Sequence, residues 1–400
     1  MFASRTNWRL ETNRLTRALE EHRRSGKELL DLTASNPTTC GFDYPEREIL
    51  AALTDPRGLV YRPESKGLLE AREAVAEYYA GQAGFSGSQA RVDPGRILLA
   101  SGTSEAYSNI FRLLCEAGDE ILVPAPSYPL FEFLADLADI RLVLYPLLYD
   151  HGWQIDFVSL RAALTLRSRA ILVVHPNNPT GSFVKPREAA ELGEICAERE
   201  MAIVADEVFL DYTGGDNPVH TFARNDAALT FTLSGLSKVS LLPQMKLAWM
   251  VVSGPEAAVQ LAVDRLEIVA DTYLSPSTPV QLALPKFLSL RQALRAQLQH
   301  RISANLSVLD SMLRESRSLA RLDREGGWYV IMRVPVTGTD DDLTVALLER
   351  FSVLVHPGHF FNFSREGFLV LSLITPEQEF QEGLRRLQAF FAGLSVDISS

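Results

Sequence analysis

Residues 171–209 read ILVVHPNNPTGSFVKPREAAELGEICAEREMAIVADEVF. The stretch opens on a short apolar run, ILVVHP at 171–176, and closes on another, AIVADEVF at 202–209. Their Val, Ile and Leu content and their brevity suit strands buried on both faces of a sheet. Between them KPREAAELGEICAEREM is amphipathic, and Pro186 falls at a first helical position, where its missing N–H costs nothing. The same alternation extends outward. RILLAS (96–101), EILVPA (120–125) and RLVLYPL (141–147) precede the stretch, and LTFTLS (229–234) and LAWMVVSG (247–254) follow it. Seven apolar runs alternating with helical pieces predict an α/β unit on a mostly parallel, seven-stranded sheet.

After residue 275 the pattern changes. A helical stretch over 279–315 leads into GGWYVIMRVP, the helix-like TDDDLTVALLERF, then VLVHPGHFF and GFLVLSL, and a last amphipathic helix follows TPEQEF. This predicts a smaller α+β domain. The expected division is a large domain at 45–275 and a small one made of 1–44 with 276–400. No internal repeat or low-complexity tract interrupts either.

With 39 Lys and Arg against 50 Asp and Glu, the net charge is −11, which argues against nucleic-acid or anionic-membrane binding. Any positive charge in a site must therefore be placed locally. The charged N-terminus lacks the apolar core of a signal peptide, and no apolar run is long enough to span a bilayer. The three cysteines, Cys40, Cys115 and Cys196, are too scattered for a disulfide framework or a zinc site, so no metal and a cytoplasmic location are expected.

Open α/β sheets bind ligands at the carboxyl ends of their strands, so the residues just past each run matter most. After 96–101, Gly102, Thr103 and Ser104 enter a helix and form either a phosphate-type anion site or a plain N-cap. After 120–125, Tyr128 stands between prolines, poised to stack on a planar ring or to pack. Asn178 follows 171–176, Asp206 ends 202–206, and Lys238 follows 229–234 in SGLSK. A buried carboxylate needs a partner, and a cation on a bound ligand would provide one. Together these residues describe a pyridoxal 5′-phosphate site, with a lysine for the Schiff base and an aspartate for the pyridinium nitrogen.

The order and spacing resemble the class I/II aminotransferases, fold-type-I pyridoxal-phosphate-dependent enzymes. The matching pieces are SNPT (35–38), YRPESKGLLEAREAVAEYY (61–79), SGTSEA (101–106), PSYP (126–129), HPNNPTG (175–181), DEVF (206–209) and SGLSK (234–238). The resemblance implies a homodimeric enzyme moving an amino group between an amino donor and a 2-oxo acid. Lys238 would be the Schiff-base lysine and the proton carrier, Asp206 the partner of the ring nitrogen, Asn178 the partner of the ring oxygen and Tyr128 the ring stacker. Gly102, Thr103 and Ser104 would hold the phosphate, with Tyr61 reaching the neighbouring subunit's site.

Three positions depart from the family pattern. Lys246 stands where an arginine usually clamps the phosphate, keeping the charge without the planar fork. Phe209 replaces a tyrosine whose hydroxyl donates to the cofactor, which predicts a raised pKa for the lysine–cofactor Schiff base; Tyr212 is a candidate substitute. Val370 falls where an arginine binds the substrate carboxylate, and a valine cannot. Asn36, Arg62, Lys66, Arg365 and His359 are candidates for that region, each also readable as an ordinary surface or structural residue. The same motifs serve a pyridoxal-phosphate lyase performing α,β-elimination, since a fold does not set reaction type. A transcription regulator on this fold would need an added DNA-binding domain, for which the N-terminal 40 residues are too short.

Overall fold

The computed structural model describes residues 1–8, 10–81, 92–214, 220–274 and 276–397. Strand β1 (Leu30–Asp31) precedes the main sheet. That sheet is built from β2 (Ile97–Ala100), β3 (Glu120–Ala125), β4 (Arg141–Tyr149), β5 (Trp153–Ile155), β6 (Ser168–Val174), β7 (Ala202–Asp206), β8 (Thr230–Gly235) and β9 (Ala248–Ser253). Its spatial order is β2-β9-β8-β7-β6-β3-β4-β5. Strands β4, β3, β6, β7 and β8 run parallel; β9 is antiparallel to both β2 and β8.

All seven expected strands are present, and the sheet has an eighth. Strand β5 forms an antiparallel pair with the end of β4. It has only three residues and no apolar run, so its sequence carries little signal. What holds it is tertiary: the Glu188 carboxylate accepts from Ile155 N–H at 2.7 Å while also accepting from Lys185 N–H at 2.7 Å. One side chain thus caps the helix Pro186–Glu198 and pins the sheet edge.

Strand residues alternate between the two faces. Leu98, Ile121, Leu172, Val204 and Leu233 enter one core with the helices Thr103–Leu114 and Glu256–Tyr273. On the opposite face Ile97, Leu99, Trp249 and Val251 form one cluster, and Leu122, Ile171, Val173 and Ile203 another. Burial on both faces explains why most of the runs read as continuously apolar rather than alternating; β4 departs from this, with Leu144 and Leu148 exposed and only Tyr145 buried.

Strands β10 (Ala320–Arg321), β11 (Tyr329–Arg333), β13 (His356–Pro357) and β14 (Phe368–Ser372) form a smaller antiparallel sheet in the order β10-β11-β14-β13. Strand β12 (Val353–Leu354) instead pairs in parallel with β1, which ties the N-terminal segment to the C-terminal part. The helix Thr278–Glu315 is 38 residues long, roughly 57 Å. Ala283, Leu284 and Phe287 pack beneath the large sheet, whereas Leu298, Ile302 and Leu309 enter the core of the small one. It is the beam between the two cores. Among the described residues no helix is long and apolar enough to cross a membrane.

Candidate active site

The carboxyl ends of the strands open into a cleft. Thr103, Tyr128, Asn178, Asp206 and Lys238, expected from five separate strand ends, all line it.

Lys238 sits in the short helix Leu236–Val239 directly after β8. Its Nζ is 4.7 Å from the centre of the Trp328 ring and 5.7 Å from that of Phe209. Burial lowers the ammonium to about 8, against the opposing pull of the Asp206 carboxylate. The residue keeps solvent access through the cleft mouth, so this is an amine that can lose its proton near neutral pH.

Asp206 ends β7 and is buried. Burial raises its pKa; the Tyr107 hydroxyl, the Val208 N–H and the Lys238 charge all oppose the rise. Tyr107 Oη donates to Oδ2 at 2.8 Å and Val208 N–H to Oδ1 at 3.1 Å.

The NNPTG turn is held by Asn177, whose Nδ2 donates to Pro126 O at 3.0 Å and Thr180 Oγ1 at 2.9 Å. Gly181 has φ +68°, and a Cβ there would come within 2.4 Å of Gly326 O. Only glycine lets this turn close on the loop before β11. Asn178 is thereby set in the cleft wall, buried, with its side-chain Oδ1 lacking any hydrogen-bond partner. At the cleft's other end Gly102 begins the helix Thr103–Leu114 with no side chain capping its first amides, and open space surrounds the position a Cβ would take.

Several cleft residues were not among the site residues expected from the sequence. Ser35, Phe131, Val208 and Tyr329 also line it, and Ser35 hydrogen-bonds the Tyr329 phenol. Tyr329 comes from the small sheet, some ninety residues after Lys238, and nothing in GGWYV marks it beyond the glycine pair. Tyr107 lies one helical turn beyond Thr103, a spacing that places both on one face.

Residues 27–387 match the family described as aminotransferase class I and II. The chain belongs to that family. This aminotransferase is 28% identical over 376 residues to an alanine aminotransferase of Mycobacterium tuberculosis, covering 91% of this chain and 86% of that one. It is 31% identical over 263 residues to the glutamate-pyruvate aminotransferase of Escherichia coli, 65% of this chain and 63% of the other. Among solved structures, an alanine aminotransferase from Pyrococcus furiosus superposes with a TM-score of 0.88 at 24% identity, covering 98% and 100% of the two chains. That likeness confirms the fold-type-I architecture.

The aminotransferase's three departures are now placed. Lys246 is exposed, in left-handed backbone (φ 50°) just before β9, and is not part of the cleft lining. Phe209 lines the cleft, and Tyr212 does not replace the lost hydroxyl there: its Oη donates to the Lys238 carbonyl at 2.6 Å. Val370 is fully buried in β14, opposite Ile331 and His356, inside the small core.

The remaining candidates lie outside the lining. The Asn36 carboxamide oxygen accepts from Thr38 N–H at 3.1 Å and Oγ1 at 2.7 Å, capping the turn Pro37–Thr39. Lys66 pairs with Glu267 at 3.4 Å, Arg365 lies exposed over the Phe368 ring, and His359 is exposed 3.6 Å from Asp341. Ser104 is exposed at the helix start, and Tyr61 is 77% exposed. Among the described residues no cluster of His, Cys, Asp and Glu fits a metal ion.

Proposed function

We propose that the aminotransferase carries out its reaction on pyridoxal 5′-phosphate held in this cleft, moving an amino group between an amino acid and a 2-oxo acid. The observation that carries the reading is the pairing of a lysine of depressed pKa with a buried carboxylate in one cleft. A buried Asp206 calls for a cationic partner, which the protonated ring nitrogen would be. The unpartnered Asn178 Oδ1 would accept from a hydroxyl substituent of the ring, and the uncapped helix start at Gly102, Thr103 and Ser104 fits a phosphate. Bound there, the cofactor would supply an electron sink for the substrate's α-carbon.

The chain's own part is positional and protonic. Lys238 Nζ, freed of its proton near pH 8, serves as the nucleophile that attaches the cofactor and as the group that carries a proton to and from the substrate carbon. Tyr128, 39% exposed and edge-on to Phe131 at 5.9 Å, is the ring stacker. Lys246 serves the phosphate as a point charge. Its place is supported by the Leu236 N–H to Leu247 O bond at 3.0 Å, which ties the next residue to the Lys238 turn. Leu59, Val60 and Tyr61 are exposed, an apolar strip suited to burial by a second copy, with Tyr61 then reaching the neighbouring site. A monomer in sedimentation would remove that support. All three cysteines are free, and burial raises their thiols, which fits a reducing, cytoplasmic setting.

The deciding experiment is a half-reaction. Alanine, glutamate and plain amines are each added to the purified holoenzyme, and the cofactor's visible absorbance is followed. Loss of the visible band with one equivalent of 2-oxo acid is expected from at least one amino acid. An unchanged spectrum with every donor would end the reading. The names of the relatives make alanine and glutamate the first donors to try.

Attachment of the cofactor to the apoenzyme should follow the neutral amine. Because burial holds Lys238 at about 8, the neutral fraction, and with it the reconstitution rate, should rise through a midpoint near pH 8. A lysine at its ordinary value would still be gaining rate above pH 10. Stopped-flow absorbance across pH 6.5–10 measures it, and a rate with no midpoint below pH 9 would contradict the depressed amine. In the same assay Lys246→Ala should weaken cofactor affinity by roughly tenfold, the worth of one charge-assisted contact. Parental affinity would remove Lys246 from the site.

A further inference from the structure

The hydrogen bond from Tyr107 to Asp206 is built into the core and not explained by packing alone. The Tyr107 ring lies edge-on to Phe131 at 5.4 Å and tilted against Phe111 at 6.0 Å, so its hydroxyl has little freedom. Oη donates to Asp206 Oδ2 at 2.8 Å, and both residues are buried. The same helix begins at Thr103 in the cleft, so a single rigid element carries the cleft wall and the donor. The other carboxylate oxygen takes the Val208 N–H at 3.1 Å, which leaves the group with two fixed donors and one face toward the cleft.

We propose that Tyr107 is a positioning residue, holding Asp206 ionised and aimed so that the shared proton stays on the cofactor's ring nitrogen. The proposal rests on reading Asp206 as the partner of that nitrogen. Its chemistry is a competition for one proton. A buried carboxylate without donors becomes more basic, and it would draw the proton from the ring toward itself. A phenol hydrogen bond to the carboxylate weakens that pull, and the ring keeps its positive charge. The titratable groups acting on Asp206 are Tyr107, Lys238, Tyr128 and Glu207. Lys238 favours the carboxylate form, whereas Glu207, buried and itself raised to about 8, adds no favourable charge.

Tyr107→Phe keeps the ring contacts and removes only the donor. Losing a hydrogen bond to a charged group should lower kcat by about 10–100-fold with little change in KM. Two readouts do not depend on turnover. The dissociation constant of pyridoxal 5′-phosphate from the apoenzyme should rise by about the same factor. The pH midpoint of the bound cofactor's visible absorbance should move up, because a less positive ring repels the protonated lysine–cofactor link less.

Tyr145→Phe is the control. That tyrosine is also fully buried and donates to Leu172 O at 2.8 Å, in the cluster on the other face of the sheet. It should lose stability without moving either readout. A 3-fluorotyrosine at position 107, a stronger donor, should shift the midpoint down, and it serves if the phenylalanine variant does not fold. A Tyr107→Phe variant with parental cofactor affinity and an unchanged midpoint overturns the proposal. A parent enzyme that binds no pyridoxal 5′-phosphate overturns the cofactor reading as well, so the two failures are told apart.

Discussion

Lys238→Ala should abolish transamination, by about 10⁴-fold or more in kcat/KM. Two functions are lost with the amine. General acid–base transfer by a positioned side chain contributes about 10²–10⁴-fold, and the covalent attachment that orients the cofactor adds to it. No second amine lines the cleft among the described residues, so nothing nearby takes over. The structure favours this lysine over Lys246 for the proposed role. Lys238 has its Nζ against the Trp328 and Phe209 rings and a pKa lowered to about 8, whereas Lys246 is exposed. Purified variant is assayed for transamination and for the visible band of the attached cofactor. Retention of more than about one per cent of parental activity would transfer the role to another group.

Asp206→Asn should be nearly as damaging, about 10²–10³-fold in kcat, the scale of removing one preorganised electrostatic partner in a water-poor site. The amide matches the carboxylate in size and can still accept from Tyr107 at one atom, so the packing survives. It cannot carry the negative charge that, in the proposed role, would keep a proton on the ring nitrogen. Affinity for pyridoxal 5′-phosphate should fall as well, since a buried cation would lose its counter-charge. Equilibrium titration of the apoenzyme and kcat measured on the same preparation test both arms. A loss smaller than about threefold in each would show that the buried carboxylate serves the fold and not the cofactor.

Much of the site was legible because each group sits directly after an apolar run. An open sheet collects the carboxyl ends of its strands into one crevice, so sequence neighbours of strands become spatial neighbours of one another. That logic picked out Thr103, Tyr128, Asn178, Asp206 and Lys238, all of which line one cleft. It does not reach residues delivered by packing. Ser35 and Tyr329 arrive from segments that close over the cleft, aided by the Ser127 N–H to Phe361 O bond at 2.9 Å and the Glu325 N–H to Gly181 O bond at 3.1 Å. Tyr107 is a helical residue whose buried hydroxyl looks like any other core tyrosine until its acceptor is seen.

The departures divide in the same way. That Phe209 lacks a hydroxyl is a fact of sequence, but that Tyr212 cannot stand in for it is a fact of structure, because its Oη is spent on the Lys238 carbonyl. Val370 reads in sequence as a missing cation, and in space it is an ordinary core residue of β14.

Sequence alone determined the α/β alternation, the seven principal strands, the Lys238–Asp206 pair and the family. The alternation and the strands follow from local composition, the meeting of Lys238 and Asp206 from the fixed relation between strand ends and crevice, and the family from the resemblance of its motifs. Tertiary structure alone decided the eighth strand, which Glu188 pins, and the hydroxyl behind Asp206. It also decided the low pKa that makes Lys238 an amine able to react near neutral pH. Each of these depends on desolvation or on a contact between distant segments, and such terms exist only once the chain has closed around them.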